Sequence, residues 1–240
     1  MRYRLVCLDA GFTLLAPRRT LNEALRGLLA EHGHDVTDEA LHRAWEVADR
    51  WFWDDYHRPE NDTWGDDDKI DASWRQYHAL MLRELGLEDV GHQLIDTILA
   101  AQYAPESWEL YPDVMPAIRE LRRLGQRLGI VSDWGSNLVP IVEGLGLADE
   151  LDFVIASGAV GLSKPDPAFF RLAATRAGVH PGEALMVGDS YRADVEGARS
   201  AGMDGILICR PEWRDRRAAA PSEARVIASL AELPEIVRST

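Results

Sequence analysis

Apolar and polar positions along the chain change rhythm twice. The first apolar run, Tyr3-Arg4-Leu5-Val6-Cys7-Leu8, is short and gives way at once to Asp9, Gly11 and Thr13. A run of this length closed by a turn reads as a strand buried on both faces. From Leu15 to about residue 105 the rhythm is helical. Leu21, Leu25, Leu28 and Leu29 recur on one helix face, with Asn22-Glu23 near its start and Gly33 near its end. Thr37-Asp38-Glu39-Ala40 resembles a capping segment and predicts a second helix running to about Trp53. Residues 54–68 are polar and acidic, contain Pro59 and Gly65, and predict a loop. Two further helices are predicted over 69–86 and 89–104, closed by Gly86 and Pro105.

From Tyr111-Pro112 onward helical and strand patterns alternate. Helices over 112–125, 136–145, 165–178 and 192–202 separate strands over 127–132, 152–156, 184–189 and 205–209. A short strand near 225–227 precedes a last helix. Strands joined through helices of this length predict right-handed crossovers and a parallel sheet. The expected fold class is therefore α/β, a Rossmann-like three-layer parallel sheet with an all-α helical bundle inserted after its first strand. The expected domains are 1–15 with 105–240 for the α/β core, and 16–104 for the helical insertion. Residues 210–220 read as a charged, solvated loop.

Charge and composition narrow the function classes. Forty acidic residues against 26 Lys and Arg give a formal net charge of -14, which argues against nucleic acid and anionic membranes as partners. No apolar run approaches the ~20 residues needed to cross a bilayer. The opening run is too short, and too soon charged, to be a signal peptide. Cys7 and Cys209 fall in predicted core strands and read as buried free thiols, which fits a cytoplasmic location. Lys69 and Lys164 are the only lysines, so each bears weighing.

In a parallel α/β sheet, ligands bind beyond the carboxyl ends of the strands. Four short sequences fall there: Asp9-Ala10-Gly11-Phe12-Thr13, Val131-Ser132-Asp133, Ser163-Lys164-Pro165-Asp166-Pro167, and Gly188-Asp189-Ser190-Tyr191-Arg192-Ala193-Asp194. Taken singly, Ser132, Asp133, Asp189 and Asp194 are turn or helix-cap residues. Their joint, ordered occurrence resembles the haloacid dehalogenase (HAD) superfamily, whose four motifs come in this order with similar separations. The resemblance spans the whole chain: the inserted helices look like the family's C1-type cap, and the closest likeness is to phosphatase-like members of subfamily I.

That resemblance implies phosphoryl transfer, which needs an in-line nucleophile and concentrated positive charge around the moving oxygens. Asp9 is the implied nucleophile, forming an aspartyl-phosphate. Asp9, Asp189 and the Gly11 carbonyl are the implied ligands of Mg²⁺. Lys164 and Ser132 are the implied catalytic cation and hydroxyl donor, and Asp133 and the Phe12 N–H join them in binding phosphate. Asp194 and Ser190 stand behind them as supporting residues. The expected partner is a small phosphorylated metabolite, and the expected state a monomer or homodimer.

One position departs from the pattern. Most phosphatases of the family read Asp-x-Asp in the first motif, and the second Asp does acid–base work typically worth ~10²–10⁴-fold. Here that position is Gly11, followed by Phe12 in place of the usual Gly. Such a chain can act on substrates with good leaving groups, take an acid from the cap, do other chemistry of the family, or only bind ligand. Asp54, Asp55 and His57 are the cap candidates for a replacement acid. 2-Haloacid dehalogenases also lack the second Asp, but they do not keep the metal-binding Gly-Asp seen here as Gly188-Asp189. Phosphonate-cleaving relatives use a cap lysine as a Schiff base, yet Lys69 follows Asp66-Asp67-Asp68, which would keep it protonated. Trp51, Phe52 and Trp53 cannot all face one core, because consecutive helical residues point apart. At least one ring is expected exposed or at the cleft, placed to stack on a ring-bearing substrate. Trp45 and Trp74 read as helix packing, and Trp134 as a residue lining the entrance.

Overall fold

A computed structural model of the chain describes residues 2–58, 61–211 and 221–239. Pro59 and most of the charged loop expected at 210–220 lie outside the described residues. Numbered in chain order, the strands are β1 Leu5–Leu8, β2 Leu15–Pro17, β3 Trp108–Leu110, β4 Arg127–Ser132, β5 Phe153–Ala156, β6 Ala184–Gly188, β7 Asp204–Ile208 and β8 Val226–Ile227. The α-helices are α1 Leu21–Glu31, α2 Asp38–Tyr56, α3 Asp67–Glu84, α4 Gly91–Tyr103, α5 Val114–Arg123, α6 Leu138–Gly144, α7 Ser157–Val160, α8 Pro167–Ala177, α9 Gly197–Ser200 and α10 Leu233–Ser239.

Six strands form one parallel sheet in the order β5-β4-β1-β6-β7-β8. All four residues of β1 and all five of β6 are buried, which is why both read as unbroken apolar runs. Their side chains alternate between two cores. Val6, Leu8, Leu185 and Val187 meet α5, α6 and α10, whereas Leu5, Cys7 and Met186 meet Phe169, Phe170 and Ala173 of α8. Burying each large aliphatic side chain here contributes about 1.5–3 kcal/mol. Sequential strands step outward from β1 to β5 on one side and from β6 to β8 on the other. Strand order therefore reverses around β1, which makes its carboxyl end the expected ligand crevice.

Helices α1–α4 gather around a third apolar cluster of their own, built on Leu25, Leu29, Leu41, Tyr77, Met81 and Leu99. The chain enters this bundle along β2 and leaves along β3, which pair antiparallel with Leu15 opposite Leu110 and Pro17 opposite Trp108. That ribbon was not predicted, because three-residue strands carry too little alternation to register. The expected loop at 54–68 needs correction too. Helix α2 continues through Asp54 and Asp55 to Tyr56, a 3₁₀ turn spans Thr63–Gly65, and α3 starts at Asp67, capped by Asp66. Aromatic packing along α2 outweighs the local acidity. The helix expected over 192–202 opens as a π-turn at Tyr191–Glu196 before α9. Cys7 is buried as expected, but Cys209 lies just past β7 and is only half-buried. No described helix is long and apolar enough to cross a membrane.

Candidate active site

Asp9 follows β1 directly, and its N–H donates to the Val187 carbonyl of neighbouring β6 at 2.9 Å. The carboxylate is 7% exposed. Ser132 Oγ, at the end of β4, donates to Asp9 Oδ1 at 2.9 Å. Lys164 Nζ reaches the same oxygen at 2.6 Å and Asp194 Oδ1 at 2.6 Å. Three segments far apart in sequence thus meet at one buried ammonium, and a fourth reaches it through Asp9. Burial alone would discharge Lys164, but the charges of Asp194, Asp9 and Asp133 outweigh it and raise its pKa.

Each partner has a local reason for its place. Gly188 ends β6 without a side chain, and a Cβ there would stand 2.1 Å from Asp194 Cγ. The glycine clears the strand end so that the Asp194 carboxylate can fold back over it towards Lys164. Ser190 holds this return: its N–H donates to Asp194 Oδ2 at 2.9 Å, and its hydroxyl accepts from Ala193 N at 3.2 Å. Burial, then the nearby Asp9 charge, lifts Asp194 to about 6 even though Lys164 works against it. Asp189 directly follows β6, beside the strand end that carries Asp9.

Asp133, expected at the phosphate, instead bridges two parts of the molecule. Its Oδ1 accepts the Lys164 N–H at 2.9 Å, and its Oδ2 accepts the Tyr56 hydroxyl at 3.1 Å. Burial lifts Asp133 to about 7, opposed by Lys164. Phe12 sits in the left-handed region at φ 53°, where a side chain is strained. Arg210 braces this turn from beneath, with Nη2 donating to the Thr13 carbonyl and Nη1 to Asp113 Oδ2, both at 2.6 Å. The ring of Trp134 lies against Gly11, and a Cβ built on that glycine would meet it at 3.4 Å.

Sequence reasoning missed Tyr56, Asp67 and Arg210. Asp67 Oδ1 accepts the Ser136 N–H at 2.9 Å, reaching from α3 into the loop after β4. Gly135 and Gly158 flank it, and a Cβ on Gly158 would approach this oxygen to 2.2 Å. The candidate acids do not converge: His57 and Asp54 are exposed, and Asp55 is engaged with Asn61 and Arg58. Lys69 pairs with Asp62 on the bundle surface, and that bond raises its pKa, the opposite of a nucleophilic amine. Of the Trp51-Phe52-Trp53 run, Trp53 is the exposed ring, at 45%. Trp45 and Trp74 pack partly buried against the bundle core.

A family model for haloacid dehalogenase-like hydrolases matches residues 3–202. The chain belongs to the haloacid dehalogenase-like hydrolase family. Among relatives of this hydrolase, the haloacid dehalogenase-like hydrolase domain-containing protein 3 of Homo sapiens is 31% identical over 245 residues, covering 97% of this chain and 93% of the relative. A phosphoserine phosphatase of Thermus thermophilus is 41% identical over 108 residues, covering 43% of this chain and 42% of its own. Among solved structures, a HAD phosphatase from Thermococcus onnurineus superposes with a TM-score of 0.63 at 26% identity, covering 98% of this chain and 97% of that one.

Proposed function

We propose that this hydrolase is a Mg²⁺-dependent phosphohydrolase of small phosphorylated metabolites, working through a phosphorylated Asp9. The observation that carries the reading is the buried Lys164 ammonium shared by Asp9 and Asp194, with Ser132 on the same Asp9 oxygen. A carboxylate held this way at a strand end is oriented and largely shielded from water. Lys164 and the Ser132 hydroxyl would neutralise and orient the incoming phosphate; the Phe12 N–H, expected to join them, donates instead to the Leu15 carbonyl at 2.8 Å. Attack by Asp9 on phosphorus expels the leaving-group oxygen, and water then hydrolyses the acyl phosphate. In this arrangement α1–α4 act as a cap over the core, so their inner face selects the substrate.

The donor set fits a hard divalent cation. Asp9, Asp189 and the Gly11 carbonyl would hold Mg²⁺, and all are oxygen donors from two adjacent strand ends. Among the described residues no group of three or more His, Cys, Asp or Glu is arranged to hold an ion. Asp9 and Asp194 share one lysine, so a phosphate dianion would need added positive charge to enter. When bound, the ion would supply that charge at the phosphate oxygens.

Replacing Asp9 with Asn tests the reading. Phosphate release from a panel of metabolite phosphates should disappear, with the circular dichroism spectrum unchanged. Wild-type turnover by Asp9→Asn would refute the nucleophile, and full activity in excess chelator would refute the metal.

A further inference from the structure

Displacing an alkoxide from phosphorus needs a proton at the departing oxygen, and the turn after β1 supplies none. Gly11 has no side chain, and a Cβ there would meet the Trp134 ring at ordinary contact distance. That ring lies edge-on to Trp108 with centroids 4.9 Å apart, and the Trp134 backbone N–H donates to Ser157 Oγ at 3.0 Å. A proton donor must therefore come from elsewhere. The acidic and imidazole side chains near the end of α2 stay outside: His57 Nδ1 bonds the Trp53 carbonyl at 2.8 Å, and Asp55 accepts from Asn61 at 2.9 Å. Tyr56, between them, turns inward. Phe52, Trp53, His57 and Trp64 surround its ring at centroid distances of 5.5–6.2 Å. Its hydroxyl reaches Asp133 across the gap between bundle and sheet.

We propose that Tyr56 is the catalytic proton donor of this hydrolase, passing to the leaving group a proton drawn from Asp133. The assignment rests on the phosphohydrolase reading above. As Asp9 bonds to phosphorus, the electron pair of the breaking P–O bond stays on the leaving oxygen. The Tyr56 hydroxyl, which donates to Asp133 Oδ2 in this structure, first turns to that oxygen; it gives its proton up there and takes the one Asp133 carries on Oδ2. The alcohol departs neutral, Tyr56 is unchanged and Asp133 becomes a carboxylate. In the second half, water attacks the acyl phosphate and returns its proton through Tyr56 to Asp133, releasing inorganic phosphate and Asp9. The surroundings suit the two roles. Asp133 faces Lys164 and Asp194 from the core and Tyr56 from α2, and burial holds it near 7, so it carries a proton around neutrality. Burial pushes the Tyr56 phenol well above its ordinary range. It therefore passes a proton on rather than losing one outright.

The experiment compares 4-nitrophenyl phosphate, whose leaving group needs no proton, with 4-nitrobenzyl phosphate, whose leaving group does. Tyr56→Phe keeps the ring and its packing and removes only the hydroxyl. The expected result is a fall of ~10²-fold or more in kcat/KM on the benzyl ester relative to the phenyl ester. For the wild type on the benzyl ester, the rate should decline as pH rises through about 7, and Asp133→Asn should abolish that limb. A Tyr56→Phe variant whose ratio between the esters matches wild type overturns the relay but leaves the phosphohydrolase reading standing. Wild-type protein that releases phosphate from neither ester, with or without Mg²⁺, overturns both.

Discussion

Asp133→Asn is a sharp test of the electrostatics, because it is read in stability as well as in rate. The carboxyl rises from an ordinary 3.8 to about 7, chiefly because it is buried. A tenfold change in proton affinity corresponds to ~1.4 kcal/mol, so ionising a fully buried Asp133 would cost ~4 kcal/mol. The side chain keeps partial contact with solvent, and screening reduces this by roughly half, to ~2 kcal/mol. The sign follows from proton counts. Between about pH 4 and pH 7 the folded protein holds a proton that the unfolded chain has lost, so stability falls as pH rises and levels off above pH 7. Asn keeps both contacts, its oxygen accepting from the Lys164 N–H and its amide donating to Tyr56. Urea unfolding in metal-free buffer should find Asp133→Asn more stable than wild type by ~2 kcal/mol at pH 8 and by ~1 kcal/mol less at pH 5. A gap that stays flat with pH, or narrows as pH rises, would refute the reasoning.

Three further outcomes follow from the same geometry. Arg210→Met leaves the partly buried Asp113 with only Ser229 and Leu230 as partners and releases the Thr13 carbonyl; it should cost about 2 kcal/mol in urea unfolding and lower kcat. Phe12→Gly and Phe12→Ala lose the same ring, but only alanine keeps the strain of φ 53°. The glycine variant should therefore be more stable by about 1 kcal/mol, and equal midpoints would contradict the strain. Asp67→Ala should raise KM and speed proteolysis of the bundle, and Asp67→Asn, which retains the accepting oxygen, should restore both.

The central strands were legible because β1, β4, β6 and β7 are covered on both faces and so carry unbroken apolar runs. Asp9 and Ser132 at strand ends, and Lys164 in the turn before α8, were legible through their order along the chain. What stayed hidden depends on contacts between distant segments. Tyr56 lies in an aromatic and acidic run where Asp54, Asp55 and His57 look more chemical, and only the direction in which α2 arrives picks it out. Asp67 is one of three consecutive aspartates, and its oxygen matters because Gly135 and Gly158 leave room for it. Arg210 opens a stretch that reads as solvated charge, yet its side chain is 5% exposed beneath the first strand's turn. No local pattern encodes such meetings.

The paired strands β2 and β3 have a consequence for how this molecule can vary. Arg18 N–H donates to the Ser107 carbonyl at 2.9 Å, so the outgoing and returning strands are stitched together where they quit the sheet. Everything between them is a closed detour whose two ends already touch. Lengthening, trimming or exchanging that detour leaves the register of β1 against β4 and β6 untouched. The bundle can therefore be rewritten on one side of the stitch while Asp9 stays where it is on the other.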